Sequence, residues 1–305
     1  MTTPLARGGQ RALPVVRTGA TLALWSAGLV RFARRQPVGA ASGAMLVGVV
    51  LIAVFAPTVA RYEPTQVFRG EALLPPSSSH WLGTDDVGRD VWARIIFGTR
   101  ISVTVGLVPV TIAVLLGWLI GLTSGYFGGW FDLLVQRVID AWIAFPTLIL
   151  AITLAAVMKP GIQNVLIAIT VIFIPGAVRV VRSVTLPLTE SPFVEAARAL
   201  GASHARILLR HILPNTVAVV LIIGSISIAG AILTESGLSF LGIGIQPPTT
   251  SWGQMLSGSG RARLNDAPWI GIAPGVAIGI VVLAANLFGD ALRDHLDPRL
   301  RGRDA

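Results

Sequence analysis

The chain has no cysteine and only one lysine, and each shortage excludes a class of chemistry. Without cysteine there is no disulfide, no zinc–thiolate site and no cysteine nucleophile. The single lysine, Lys159, is followed by Pro160, so the phosphate-binding pattern Gly-x4-Gly-Lys-Ser/Thr is absent. The chain therefore has no P-loop of its own, and any ATP hydrolysis linked to it must take place on another protein.

Charged residues are also scarce. They make up 13% of the 305 residues, against about 25% in a typical soluble domain. Hydrophobic residues make up 53%, and the mean hydropathy is +0.73. This surplus of apolar side chains is too large for a single buried core, so the composition indicates an integral membrane protein.

Six apolar runs are long enough, at about 20 residues, to cross a bilayer as helices. They predict an all-α polytopic membrane protein with a basic segment 1–37, an external loop 61–98, a core 99–292 that holds five of the six helices, and a tail 293–305. The first run starts too far from Met1 for a cleavable signal, so it is interpreted as a retained helix. The runs cover residues 38–60, 101–123, 133–158, 162–181, 216–241 and 269–292.

The basic residues predict the orientation of these helices. The formal net charge is +9, and sixteen of the 24 lysines and arginines fall on one side of the membrane if the helices alternate in direction. Because cytoplasmic loops are enriched in basic residues, both termini are expected in the cytoplasm. Residues 13–30 are interpreted either as a helix on the inner membrane surface or as a flexible leader. No nucleic-acid partner is expected, because no basic soluble segment is long enough to form such a domain.

The loop between the fourth and fifth runs predicts two short helices. Glu195 lies near the start of the first helix, where an acid interacts favourably with the helix dipole. Gly201 suits the left-handed conformation that ends it, Ser203 can cap the second helix, and Pro214 is expected to stop it. Two short helices joined at a glycine form a compact projection that suits docking into a cleft of another protein.

This loop, taken as residues 186–215, resembles the coupling loop of ABC-importer permeases, whose pattern is Glu-Ala-Ala-x3-Gly followed by Ile-x-Leu-Pro or a near equivalent. The resemblance implies that the loop inserts into a groove of a separate ATPase subunit and transmits its motion to the membrane helices. The alternative is an amphipathic hairpin that has no partner. The matching residues are Glu195, Ala196, Ala197, Gly201, Ile212, Leu213 and Pro214.

The external loop carries a second pattern, Leu-Gly-Thr-Asp-x2-Gly-Arg-Asp, which resembles the C-type permeases of dipeptide, oligopeptide and nickel importers. From the residues alone, its acids and arginines either bind a metal or a charged end of a substrate, or cap a short helix and pair with one another; the second reading is favoured. No metal site is expected. The residues of this signature are Gly83, Thr84, Asp85, Gly88, Arg89 and Asp90.

The resemblance implies a type I importer core of the MetI-like kind with one extra N-terminal helix, in a bacterial cytoplasmic membrane. It implies a second permease, an external solute-binding protein, and one or two ATPase subunits that bind ATP and magnesium. This chain would form half of a path for dipeptides or oligopeptides, without catalytic residues or a cofactor of its own.

Three charged residues fall inside or at the ends of the apolar runs. Glu235 is expected either to contact the translocation path or the second permease, or to reach outer water from the end of its helix. Arg179 and Arg182 are expected to extend to the inner headgroups.

Two other functional classes remain open at this point. A self-sufficient secondary transporter would need ionisable residues deep in several helices, and only Glu235 is a reasonable candidate. A membrane enzyme would need catalytic groups that converge at one depth, whereas the four histidines, at 80, 204, 211 and 295, fall in loops or in the tail.

Overall fold

The computed structural model describes residues 32–158 and 161–296, and these residues contain no β-strand. Five helices are long and apolar enough to cross a membrane, and a bent helix pair gives a sixth candidate when its two helices are counted as one span, so the described residues hold five or six of the six predicted crossings. The helices are α1 (Pro37–Val54), α2 (Ala56–Val59), α3 (Val91–Phe127), α4 (Gly129–Ile143), α5 (Thr147–Val157), α6 (Ile162–Thr189), α7 (Pro192–Ala199), α8 (His204–Ile207), α9 (Leu213–Phe240), α10 (Trp252–Leu256), α11 (Ser259–Ala262) and α12 (Trp269–Leu296); a π-helical turn, Leu208–Ile212, joins α8 to α9.

The second crossing begins earlier than its apolar run. Helix α3 starts at Val91, so the predicted boundary between the external loop and the core, at residues 98 and 99, falls inside a helix. The side chain of Asp90 caps this helix by accepting a hydrogen bond from the backbone N–H of Ala93. Arg94 and Gly98 make the first turns of α3 resemble a loop in sequence, although both residues are buried.

The third crossing is broken. The run 133–158 was expected to be one helix, but α4 and α5 meet at an angle of 82°. The break lies at Pro146, which has no N–H to donate and disfavours helical backbone at the residue before it. The expectations for residues 13–30 and for the end of the tail lie outside the described residues.

Helices α3 and α6 form the centre of the bundle. Three glycines spaced four residues apart on α3 let the two backbones approach closely, as small residues do in membrane helix pairs. A Cβ on Gly117 would lie 2.4 Å from Cβ of Ala177, and one on Gly121 would lie 2.6 Å from the carbonyl oxygen of Val178. Gly125 packs in the same way against Thr185. This contact fixes the end of α3 beside the loop that follows α6.

The helix that follows this loop does not stop at Pro214, which corrects the sequence-based expectation. Pro214 lies in the first turn of α9, where a missing N–H costs little. The π-helical turn immediately before it accommodates the proline, and the chain stays helical from His204 to Phe240.

Candidate functional site

Residues 190–212, called the docking loop below, fold as two short helices joined at a glycine. Helix α7 ends at Ala199, and Gly201 follows with φ of +76°, a left-handed conformation that glycine adopts without strain. Ser203 then caps α8 by accepting a hydrogen bond from the N–H of Arg206. The local arrangement is the one that the pattern of small residues, glycine and serine predicted.

One side of the docking loop is anchored in the core of the bundle. Four of its apolar side chains are buried and belong to the same cluster as residues of α3, α6 and α9: Val194, Ala197, Ile207 and Ile212. At the end of α3, the hydroxyl of Tyr126 lies 2.8 Å from Nδ1 of His204. The guanidinium of Arg198 lies 6.0 Å from the centre of the Tyr126 ring. The loop is therefore fixed to the membrane helices by packing and by a hydrogen bond.

The other side of the docking loop is exposed and partly apolar. Glu195, Ala196 and Gly201 are all exposed. Leu200, at the turn between the two helices, is 88% exposed, and Leu209 is 64% exposed. The motif thus divides into buried positions that hold the loop, such as Ala197 and Ile212, and positions that another protein can contact.

Sequence reasoning overlooked two residues of this region. Leu200 was not singled out from the sequence, although a leucine directly before a helix-ending glycine in a polar loop indicates an exposed apolar tip. Tyr126 gave no signal, because its contact with His204 joins residues 78 positions apart. Of the last motif residues, Leu213 is partly buried, and Pro214 is exposed at the start of α9.

On the opposite end of the bundle, Asp85 organises the external signature. Its carboxylate is fully buried and accepts hydrogen bonds from the backbone N–H groups of Val87 and Arg89. It also pairs with the guanidinium groups of Arg89, at 2.7 Å, and of Arg94. The acids and arginines thus cap the turn and pair with one another, which is the reading favoured from the sequence.

The other signature residues shape the same turn. Gly83 and Gly88 have φ of +72° and +84°, and a Cβ at either position would lie within 2.6 Å of a backbone oxygen. Thr84 donates from its hydroxyl to the carbonyl of Glu71 and accepts at the same oxygen from the N–H of Leu74. The segment before α3 is therefore a folded unit held by specific polar contacts.

His80 lies between two carboxylates in this outer unit. Its Nδ1 is 2.8 Å from Oδ2 of Asp90 and its Nε2 is 2.9 Å from Oε2 of Glu71. Carboxylates only accept hydrogen bonds, so an imidazole that bonds to both must carry a proton on each nitrogen. Burial opposes this charge, but the hydrogen bonds that His80 donates to Asp90 and Glu71, together with the negative charges of these acids, outweigh it and raise the pKa of His80 above its usual value.

Glu235 is completely buried in α9. Its Oε1 accepts hydrogen bonds from the hydroxyls of Ser239 and Ser251, each at 2.7 Å, and within the described residues its Oε2 has no hydrogen-bond partner. It reaches neither outer water nor the surface of the described chain. Its hydrogen bond with Ser251 joins that segment to α9, and a contact with the translocation path or the second permease stays a prediction.

A chain of hydrogen bonds connects Glu235 to the external signature. Ser251 accepts from the N–H of Gln254, and the amide oxygen of Gln254 accepts from the guanidinium of Arg94 at 2.9 Å. Arg94 in turn pairs with Asp85. The short helix α10 thus links the outer turn to the membrane helices α3 and α9.

The sequence predicted that Arg179 and Arg182 extend to the inner headgroups, but in the structure both form ion pairs with aspartates of α4. Arg182 forms an ion pair with Asp132, and Arg179 lies 2.6 Å from Asp140. Both pairs connect α6 to α4. Within the described residues, no group of three or more histidines, aspartates and glutamates is arranged to hold a metal ion.

The comparison with protein families identifies the class of this bundle. Binding-protein-dependent transport system inner membrane components match residues 113–302, which is more than half of the chain. The chain belongs to this family. The N-terminal transmembrane domain of oligopeptide transport permease C matches residues 24–76, which include the helix that precedes the core. The chain is thus a multi-pass permease subunit of an ABC importer, as its two sequence patterns indicated.

Relatives of this family resemble the chain over most of its length. The dipeptide transport system permease protein of Alkalihalophilus pseudofirmus is 43% identical over 252 residues, which is 83% of each chain. The glutathione transport system permease protein of Pectobacterium atrosepticum is 41% identical over 290 residues, covering 95% of this chain and 96% of that protein. The Escherichia coli glutathione permease protein is 41% identical over 292 residues.

A solved structure has the same fold. A chain of the MetNI methionine ABC transporter, in an inward-facing conformation, superposes with a TM-score of 0.52 at 16% identity. The match covers 66% of this chain and 96% of the other. The MetI-like core predicted from the sequence is therefore confirmed, and this chain is longer than the core.

Proposed function

We propose that the chain is one of two permeases in an ATP-driven importer of short peptides and that it forms half of the translocation path. Its docking loop engages one or two separate ATPase subunits, which bind ATP and magnesium. A second, homologous permease completes the path, and a solute-binding protein delivers the substrate from outside. The chain lies in a bacterial cytoplasmic membrane with both termini in the cytoplasm, and it carries no catalytic residue or cofactor.

The observation that carries the coupling role is the two-sided character of the docking loop. Buried side chains on one side fix the loop to α3, α6 and α9, while Leu200 and Leu209 expose apolar surface on the other. An apolar residue that is 88% exposed at the tip of a rigid projection is suited to a pocket on a partner. The hairpin without a partner leaves this exposure unexplained.

The substrate class is supported by the relatives. Two permeases that match over at least 83% of this chain are named for the transport of dipeptide and of glutathione, and both are short peptides. The outer signature that first indicated this group is folded around Asp85 and does not expose a metal-binding cluster in the described region. Short peptides are therefore the substrates to test first.

A pull-down of the tagged chain from gently solubilised membranes, analysed by mass spectrometry, tests the assembly. We expect a second permease, one or two P-loop ATPases and a solute-binding protein, and the ligand of that binding protein then tests the substrate class. A chain that purifies alone and transports solute without ATPase subunits would instead support the self-sufficient secondary transporter.

A further inference from the structure

Two ion pairs connect α4 to α6, and they differ in exposure. The side chains of Asp132 and Arg182 are 12% and 29% exposed, and the hydroxyl of Ser124 also donates to Asp132. The side chains of Asp140 and Arg179 are each 48% exposed, with Nη2 and Oδ1 2.6 Å apart. The first pair has the features of a structural contact, whereas the second presents both charges at the surface of the chain.

The exposed pair lies at membrane depth. Arg179 immediately follows Val178, which packs against both Gly117 and Gly121 of α3. Those glycines fall in the last seven residues of the apolar run 101–123, so Arg179 and its partner are level with the inner end of a membrane-spanning stretch. A half-exposed ion pair at this level cannot face lipid tails without a large cost, and charged residues in such positions face water-filled cavities or other protein.

The break between α4 and α5 lies one turn beyond Asp140. Ala144 and Phe145 are exposed there, and Pro146 has no N–H to continue the hydrogen bonds of α4. Broken helices at membrane depth are tolerated where the backbone is covered by protein or lines a water-filled cavity. The exposed pair and the break therefore point to the same aqueous surface.

We propose that Asp140 and Arg179 line the translocation path and bind the charged ends of a peptide as it passes. This inference rests on the proposed function. The ammonium group of a peptide is complementary to the carboxylate of Asp140, and its carboxylate is complementary to the guanidinium of Arg179. Because the two side chains neutralise each other when no peptide is present, the path holds no net charge at this point, and each charge exchanges one partner for another during passage.

The absence of cysteine makes water access directly measurable. In the complete importer, Asp140→Cys and Ala144→Cys are labelled with a charged thiol reagent; Ala144 lies one turn from Asp140, and its substitution leaves the ion pair intact. Leu283→Cys on α12 is the control, because Leu283 is 60% exposed within a membrane-spanning helix. We expect labelling at 140 and 144 at least about tenfold faster than at 283, the ordinary contrast between water and hydrocarbon surroundings. Equal, slow labelling at all three positions would overturn the proposal, because the pair would then be covered by protein or lipid.

Uptake of the dipeptide Ala-Ala by the reconstituted complex tests the binding role. For Asp140→Asn and for Arg179→Gln, we expect the KM to rise about tenfold, because each variant loses one charge-assisted hydrogen bond to the peptide. The amount of assembled complex should stay normal. An unchanged KM in both variants would overturn the binding role. If the wild-type complex does not transport Ala-Ala, the peptide assignment under the proposed function fails, and the labelling experiment still decides whether the pair lines the path.

Discussion

The hydrogen bond between Tyr126 and His204 joins the last turn of α3 to the second helix of the docking loop. Helix α3 is 37 residues long and begins at the outer polar network, so this contact joins the docking loop to a helix that extends to the opposite end of the bundle. Under the proposed function, this helix is a route by which a displacement of the docking loop reaches the membrane helices.

The first prediction concerns a variant, Tyr126→Phe, that removes that hydrogen bond. Tyr126→Phe keeps the ring and its packing, so we expect normal protein levels with uptake reduced about two- to tenfold, the equivalent of about 0.5–1.5 kcal/mol for one hydrogen bond. The chain has only two tyrosines, so Tyr62→Phe in the outer segment is a matched control that should transport normally. Unchanged uptake in Tyr126→Phe would show that packing alone transmits the motion.

The second prediction changes the exposed side of the docking loop. Glu195→Lys reverses an exposed charge, and Gly201→Asp places a charged side chain in open space beside Leu200. We expect both variants to insert into the membrane but to lose uptake, because the surface offered to the ATPase changes. Glu63→Lys, which reverses an exposed acid in the outer segment, serves as the control. Normal uptake by both test variants would refute the docking role.

The third prediction concerns Asp85. Asp85→Ala leaves Arg94, which is 4% exposed, buried with its carboxylate partner removed, and breaking such a pair costs about 3–5 kcal/mol. We expect the amount of folded protein to fall, with uptake falling in proportion. Asp86→Ala, at an exposed neighbour, should have little effect. Loss of uptake with a normal amount of folded protein would instead indicate a role in binding substrate or in gating.

The fourth prediction tests the structural role of Glu235. Glu235→Gln keeps the oxygen that accepts from Ser239 and Ser251, so we expect thermal stability in detergent close to that of the wild type. Glu235→Ala removes the acceptor of two buried hydroxyls and leaves a cavity, and we expect a loss of roughly 2–5 kcal/mol. If Glu235→Gln is stable but inactive, the carboxylate itself has a function in transport.

The fifth prediction is a dependence on pH in the outer segment. The folded-state pKa of His80 is raised above its ordinary value of 6.5, so its contribution to stability is fully present below pH 6.5 and is lost as the pH rises through the folded-state pKa. Amide hydrogen exchange of residues 61–90 should therefore be slower at acidic than at alkaline pH after correction for the intrinsic rate. His80→Gln should remove this difference, and a difference that persists would exclude His80 as its cause.

The local features of this fold were predictable because they depend on neighbouring residues. Apolar runs of the length of a bilayer gave the crossings, and the helix–glycine–helix arrangement around Gly201 followed from residue preferences at helix ends. The early start of α3 was not found, because Arg94 is buried only through its contacts with Asp85 and Gln254. A proline such as Pro146 can kink a helix, but its presence in the run 133–158 does not determine the size of the bend.

Long-range contacts account for the other differences. Burial of Glu235 depends on Ser251, sixteen residues away, and the partners of Arg179 and Arg182 are 39 and 50 residues away on α4. A single sequence gives no indication of which distant residues meet. The dual character of the docking motif, with Ala197 buried and Ala196 exposed, likewise became apparent only when the loop was packed against α3 and α9.

The central claim is that the docking loop contacts an ATPase, and crosslinking tests it most directly. A thiol-linked photocrosslinker attached to Ala196→Cys, in native membranes that contain the whole importer, should capture a P-loop ATPase identified by mass spectrometry. The same crosslinker on Trp81→Cys, which is 56% exposed in the outer segment, should capture none. If the inserted Ala196→Cys chain captures no ATPase, or if Trp81→Cys captures it instead, the assignment of the docking loop is contradicted.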